Sequence, residues 1–204
     1  ALIVLSAPRA KVKARLIANG SGVNLRGGAR SWNDPGAPVT FRVGPDEFMF
    51  GGLPERTFEP TLAEGWLPIV EIRYQHTSPV QSEGAVPLDQ VRPVREGEIY
   101  RLEAFASTEP AQAEHGVVFV QFSLAQGRSG SVAVNVGDGA PVAFARGEVT
   151  NAAGERLAQF DSRWRWERGR AVARLAAGEA VTLAIATKPL PAGWTGTFDY
   201  AAEL

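Results

Sequence analysis

The stretch Val117-Val-Phe-Val-Gln-Phe122 decides the fold of this chain. Apart from Gln121 it is entirely apolar, so an extended segment here would be hydrophobic on nearly both of its faces. Strands of this kind lie in the middle of a sheet whose two faces are both covered. The sequence therefore predicts a central, fully buried strand at 117–122.

Shorter segments on both sides of this strand alternate apolar and polar residues, as half-buried strands do. The clearest of these segments are Lys11–Ile17, Val39–Val43, Ile69–Tyr74, Ile99–Phe105, Ser131–Val136, Ala171–Leu175 and Val181–Ala186, and Phe41, Phe144, Phe160 and Phe198 extend the set. Only Pro60–Gly65 and Pro110–His115 suggest a short turn of helix. The pattern predicts an all-β fold, a large two-layer antiparallel β-sandwich of about a dozen strands with little helix.

The length of 204 residues suits one large all-β unit, and no segment is typical of an interdomain linker. We therefore expect residues 1–204 to form a single β-sandwich domain. The chain begins at Ala1 rather than Met, and Phe198–Leu204 ends on strand-like sequence without a polar tail. Both ends resemble cut points, which predicts a fragment or a processed part of a longer protein.

Composition excludes several classes of function. The 21 basic and 22 acidic residues leave a net charge of −1, which gives no broad basic field for nucleic acid or anionic lipid. No apolar run approaches the roughly 20 residues needed to span a bilayer. Cysteine is absent, so disulfides, thiolate metal sites and cysteine nucleophiles are excluded together. We expect no nucleic-acid partner and no membrane partner, and both a cytoplasmic and a secreted location remain open.

Two carboxylates and two histidines are the candidates for acid–base chemistry. Glu71 and Glu103 each lie inside a predicted strand on its polar side, and a pair of carboxylates roughly 5 to 10 Å apart can act on a glycosidic bond. His76 and His115 lie at the ends of two predicted strands and could act as acid and base on a sugar ring oxygen. The simpler interpretation makes the glutamates solvated strand residues and the histidines surface loop residues.

Metal, phosphate and cofactor sites are not predicted. Asp34, Asp46 and Asp138 occur in glycine- and proline-rich contexts that turns require, and no loop offers the six to eight oxygens that Ca²⁺ needs. The Gly27-Gly28 and Gly51-Gly52 pairs are not followed by the Lys-Ser/Thr of a phosphate loop.

Trp164 and Trp166 are candidate ligand-binding residues. In the segment Ser162–Arg168 they stand two residues apart, which on a strand places both indoles on one face roughly 7 Å apart. Two such rings can stack on successive sugar rings, because aromatic faces are electron-rich and pyranose C–H faces are weakly apolar. The alternative is that both indoles fill the inner layer of the sandwich while Arg163 and Arg165 face water.

The other tryptophans occur near turns. Trp32 and Trp194 lie in loops rich in glycine and proline, where an indole is a candidate for contact with a carbohydrate or a neighbouring domain. Trp66 opens a predicted strand, and we expect it to plug a sheet edge.

An ordered series of motifs between Phe48 and Leu124 resembles a known family. The motifs are Phe50–Pro54, Glu64–Val70, Glu71–Tyr74, Ile99–Ala106 and Val117–Leu124. The series is similar to the N-terminal β-supersandwich, of galactose-mutarotase-like fold, in glycoside hydrolases and phosphorylases whose catalytic part is an (α/α)6 toroid. It covers less than half of the chain, and its motifs are mostly those of sheet structure.

In that family the general acid and base belong to the helical toroid, which this chain has no helical repeat to build. The resemblance therefore implies a non-catalytic accessory domain of a carbohydrate-active enzyme, whose partner is a catalytic domain of the same or another chain. One alternative is a carbohydrate-binding module that holds an oligosaccharide on its tryptophans. Another is a free-standing sugar epimerase or lyase, which requires His76 or His115 beside Glu71 or Glu103.

Overall fold

The computed structural model describes residues 1–25, 36–77, 97–137, 139 and 141–203, and these form two antiparallel β-sheets packed face to face. The predicted all-β sandwich is therefore confirmed. In chain order the strands are β1 (Leu2–Leu5), β2 (Ala14–Ile17), β3 (Gly22–Val23), β4 (Val39–Val43), β5 (Phe48–Met49), β6 (Thr61–Leu62), β7 (Val70–His76), β8 (Glu98–Ala106), β9 (Val117–Gln126), β10 (Ser129–Val136), β11 (Ala143–Ala145), β12 (Glu148–Thr150), β13 (Arg156–Phe160), β14 (Arg165–Glu167), β15 (Arg170–Ala176) and β16 (Ala180–Leu190).

The first sheet, sheet A, has the strand order β1-β2-β3-β4-β10-β15-β14, with β5 paired beside β4. The second, sheet B, has the order β11-β12-β13-β16-β9-β8-β7-β6. The described residues thus contain sixteen strands, eight in each sheet, where the sequence predicts about a dozen. Most of the additional strands are two or three residues long, too short for an alternating pattern to reveal them. Strand β1 has four residues, but its sequence is apolar throughout and does not alternate.

The prediction of a central strand at 117–122 is confirmed. Strand β9 lies between β16 and β8 in the middle of sheet B. Its inward residues Val118, Val120 and Phe122 are fully buried between the sheets, and Phe122 meets Phe41 of sheet A edge-on with ring centroids 5.1 Å apart. Val117 and Phe119 point to the opposite side of sheet B and are buried there as well.

A C-terminal segment, residues 191–203, covers this outer side of sheet B. Phe198 meets the Phe119 ring edge-on at 6.1 Å, and Tyr200 packs on both Phe105 and Phe119. Burial raises the pKa of the Tyr200 hydroxyl, and the nearby Glu103 carboxylate raises it further. The predicted strand-like end at 198–204 is wrong for the described residues, because Tyr200–Glu203 form a short helix instead.

Helix is limited to single turns in the described residues. The two α-helical turns are α1 (Pro110–Ala113) and α2 (Tyr200–Glu203), and 3-10 turns occur at Pro54–Arg56 and Ala63–Gly65. Helix α1 confirms the turn predicted at 110–115, and it begins where the Glu109 side chain accepts a hydrogen bond from the Gln112 amide. Among the described helices, none has the length and hydrophobicity that crossing a bilayer requires.

Candidate functional site

A concave site in the described residues opens at one end of the sandwich, between an edge strand of sheet A and an edge strand of sheet B. We call it the edge cleft, and its volume is about 380 Å³. It is lined by Phe144, Arg146, Gly147, Phe160, Asp161, Ser162, Trp164, Arg165 and Trp166. Clefts of roughly 300–1,000 Å³ with aromatic walls and a few polar groups are typical of small-ligand sites.

A stacked pair of rings joins the two sheets at this cleft. Trp166 of β14 lies parallel to Phe144 of β11, with ring centroids 4.9 Å apart and an angle of 10° between the planes. Since β14 and β11 each end a different sheet, the pair bridges the open edge of the sandwich. Both rings are half-buried, so part of each remains accessible from the cleft.

Trp164 forms the floor of the edge cleft and belongs to the core. Its side chain is only 3% exposed, it packs edge-on against Phe160 at 5.2 Å, and its Nε1–H donates to the Thr182 carbonyl at 3.0 Å. The structure therefore brings Trp164 and Trp166 into one cleft but does not present them as two exposed indoles. The inner-layer interpretation describes Trp164, and Trp166 also packs against the core but stays partly exposed.

Asp161 supports this floor through the main chain. One carboxylate oxygen accepts from the Thr182 amide at 2.6 Å and from its hydroxyl at 3.2 Å, and the other accepts from the Arg163 amide at 2.8 Å. The turn that leads into β14 is thus tied to β16. These hydrogen bonds fix the position of the main chain that carries Trp164 and Trp166.

The residues that sequence reasoning missed are Phe144, Arg146 and Arg165. Arg165 lies on the cleft wall, where its Nη1 donates to the carbonyls of Ser162 and Trp164 at 2.8 and 3.2 Å. Arg146 stands in the exposed turn after β11. Arg165 is the sequence neighbour of both tryptophans, whereas the packing of the two sheets brings Phe144 and Arg146 to them, and no local motif encodes that second proximity.

The two remaining candidate tryptophans lie elsewhere. Trp194 is half-buried in the segment 191–203, where it packs on Phe198 at 5.1 Å and lies under the Arg156 guanidinium, 5.2 Å from its ring centroid. This places Trp194 in the cover of sheet B, away from the residues that line the edge cleft. Trp32 lies outside the described residues.

Glu71 and Glu103 are brought together, but as members of an ion-pair network. They are directly opposed on β7 and β8, roughly 5 Å apart at Cβ, on the outer face of sheet B. Arg73 bonds Glu71 at 2.6 Å, and Arg101 bonds Glu103 at 3.0 Å and approaches Glu71 at 3.7 Å. Both carboxylates are therefore held by cations, and instead of standing free in solvent they are mostly covered, while Arg73 remains exposed.

The histidines do not join these carboxylates. His76 points to the inner face of sheet B, five strand positions from Glu71 and roughly 16 Å along β7. His115 is held beyond the start of β9, with its Nδ1 near the carbonyls of Lys188 and Pro189 at 3.2 and 3.0 Å. That start lies four residues, roughly 13 Å, from the position opposite Glu103. The geometry that an epimerase or lyase hypothesis requires is absent among the described residues.

His76 is a core residue, so the surface-loop interpretation is wrong for it. Only 1% of the residue is exposed, and its Nε2 lies 2.7 Å from the Asp46 carboxylate in the turn after β4. Burial lowers the pKa of His76, while the charges of Asp46 and Glu98 partly oppose that shift and Arg56 adds to it. Because a carboxylate can only accept, the neutral ring bonds Asp46 through an Nε2–H donor.

This burial predicts a pH dependence of stability. Because the pKa of His76 is lower in the folded than in the unfolded protein, the unfolded state binds the proton more readily. Stability is therefore fully present above the ordinary histidine pKa of about 6.5 and declines as the pH falls through the folded value. Urea unfolding between about pH 7 and pH 5 should show this slope, and His76→Gln should flatten it. An equal slope in both proteins would contradict the prediction.

A second surface feature is apolar. Trp66 is 69% exposed in the turn after the Ala63–Gly65 segment, so the prediction that it plugs a sheet edge is wrong. Phe58 and Leu62 are also exposed, and the segment 57–62 runs beside β7 at the edge of sheet B. We call Phe58, Leu62 and Trp66 the edge patch.

Metal-ligand geometry in the described residues indicates no further site. Within the described ranges, no group of three or more histidine, aspartate or glutamate residues is arranged to hold a metal ion. Comparison with known proteins found no matching family model, no matching curated protein and no matching solved structure.

Proposed function

We propose that this chain is a non-catalytic module of a carbohydrate-active enzyme and that it holds a saccharide in the edge cleft, while a separate catalytic domain carries out the chemistry. The observation that carries the proposal is the parallel Trp166–Phe144 pair, partly exposed in a cleft of about 380 Å³. Aromatic rings offer the apolar, electron-rich surface on which a sugar ring packs.

The surroundings of the pair support a binding role. Arg165 and Arg146 add hydrogen-bond donors beside the rings, and such donors can bond sugar hydroxyls. Trp164 and Asp161 are fixed by bonds to Thr182, so the floor of the cleft is already organised before a ligand arrives. A preorganised site loses less conformational entropy on binding.

An accessory role is supported by the edge patch. Exposed apolar side chains along one sheet edge can form a surface that packs against another domain. We assign the contact with the catalytic domain to Phe58, Leu62 and Trp66, which leaves the edge cleft, lined by none of them, open to a saccharide.

The test is a binding titration with matched tryptophan variants. Soluble glucans and pectic oligosaccharides should quench or shift tryptophan fluorescence and give a saturable heat signal in calorimetry. Trp166→Ala and Phe144→Leu should each weaken binding about tenfold or more, because each removes part of the stacking surface. Trp66→Ala removes an equally large but more exposed indole from the edge patch and should bind like the unaltered protein.

Two results would overturn the proposal. One is the absence of saturable binding to any saccharide in the panel. The other is an equal loss of affinity in Trp166→Ala and Trp66→Ala. That result would show that the saccharide does not bind specifically in the edge cleft.

A further inference from the structure

We propose that the edge cleft selects acidic saccharides, in which a sugar ring carries a carboxylate. This inference rests on the proposed function and adds the class of ligand. The inference is based on the charged side chains around the Trp166–Phe144 pair. The basic groups there outnumber the acidic ones, and this excess favours binding of an anion.

The two arginines of the cleft have no acidic partner. Within the described part of the chain, neither Arg146 nor Arg165 forms an ion pair. Arg165 uses Nη1 for two main-chain carbonyls, which orients its guanidinium, and Nη2 and Nε have no acceptor among the residues that the structure describes. An oriented guanidinium with free donors is suited to a carboxylate, which it can bind through two parallel hydrogen bonds.

Two acidic groups near the cleft are already engaged, and the exposed Glu167 beside Trp166 does not line the cleft. Asp161 lines the cleft, but both of its carboxylate oxygens accept hydrogen bonds from the main chain or from Thr182. Glu148, which follows the Arg146–Gly147 turn, is bound by Arg156 at 2.6 Å. The lining therefore carries two unpaired cations against one carboxylate that is satisfied within the protein.

The ring pair decides the kind of anion. A simple phosphate or carboxylate ion would bond the arginines and leave the aromatic surface unused. A sugar acid uses both, since its ring packs on the accessible part of one ring of the pair while its carboxylate reaches a guanidinium. We therefore expect a uronic acid residue within an oligosaccharide.

The experiment compares ligands that differ only in charge. Oligogalacturonate and its fully methyl-esterified form have the same sugar rings, and calorimetry should show the acid binding about tenfold more tightly. Raising the salt concentration to about 1 M, where the Debye length is about 3 Å, should remove most of that preference. Inorganic phosphate should compete only weakly.

Arginine variants locate the effect. Arg146→Gln and Arg165→Gln should each reduce the acid preference and leave binding of the ester nearly unchanged. Arg168→Gln is the matched control, because Arg168 is an exposed arginine in the turn after β14 that does not line the cleft. The three substitutions change the net charge equally.

The outcomes separate the two proposals. Equal binding of acid and ester would overturn this inference and leave the proposed function standing. Tight competition by inorganic phosphate would overturn it as well, because the cleft would then recognise charge without the ring. Failure of both ligands and of the neutral glucans would overturn the proposed function together with the inference.

Discussion

Replacing Trp164 by alanine is expected to lower the free energy of unfolding by about 3–5 kcal/mol. The indole is 3% exposed and packs against Phe160, so its removal leaves a cavity between the sheets. The substitution also removes the N–H that bonds the Thr182 carbonyl. Urea unfolding followed by circular dichroism measures the loss without depending on tryptophan fluorescence, which the substitution itself alters.

Trp164→Phe separates the two contributions. It keeps an aromatic ring against Phe160 but removes one of the two donors to the Thr182 carbonyl, which still accepts from the Asp161 amide at 3.1 Å. The loss of that one hydrogen bond should cost about 0.5–1.5 kcal/mol. We therefore expect Trp164→Phe to be clearly more stable than Trp164→Ala. A Trp164→Ala protein that keeps full stability but loses saccharide binding would contradict the placement of this indole in the core.

Trp164 and Trp166 thus differ in role although they stand two residues apart. Trp164 lies in the turn before β14 and is enclosed, whereas Trp166 lies on β14 at the end of sheet A and keeps an accessible part. Alternation predicts that the two side chains share a direction, and both do line one cleft. It cannot predict their depths, because those depend on how far sheet B extends opposite each residue.

The fold was predictable because its signal is local. A strand that is apolar on both faces must be covered twice, and Val117–Phe122 shows this without any knowledge of its neighbours. The cover on the outer side was not predictable in the same way. The sequence pattern predicts a strand at Phe198. In the structure Phe198 lies in an irregular segment, and its ring packs on Phe119.

The candidate site was predictable only in part because its residues come from distant segments. The Trp-Arg-Trp motif at 164–166 is visible in the sequence, but Phe144 and Arg146 reach it only through the closure of the sandwich edge. For His76 the sequence prediction was wrong because it placed a buried residue on the surface. His76 lies at the end of an alternating strand pattern, where a loop is expected. The turn after β4 folds over it and supplies Asp46 as its hydrogen-bond partner.

Gly44→Ala is expected to lower the free energy of unfolding by about 2–5 kcal/mol, since it combines backbone strain with a collision. Gly44 has φ +81°, a left-handed conformation that disfavours any side chain. A Cβ at this position would lie 2.0 Å from His76 Nε2. The His76 ring is enclosed and bonded to Asp46, so relieving the collision requires breaking that hydrogen bond.

Gly178→Ala is the matched control for this prediction. Gly178 has nearly the same conformation, φ +80°, but a Cβ there would meet no atom within 4 Å. It should therefore show the strain alone, about 1–2 kcal/mol. The excess loss in Gly44→Ala should disappear when His76 is also replaced by alanine, because the colliding ring is then gone. Equal losses for Gly44→Ala and Gly178→Ala in urea unfolding would show that the ring does not press on Gly44.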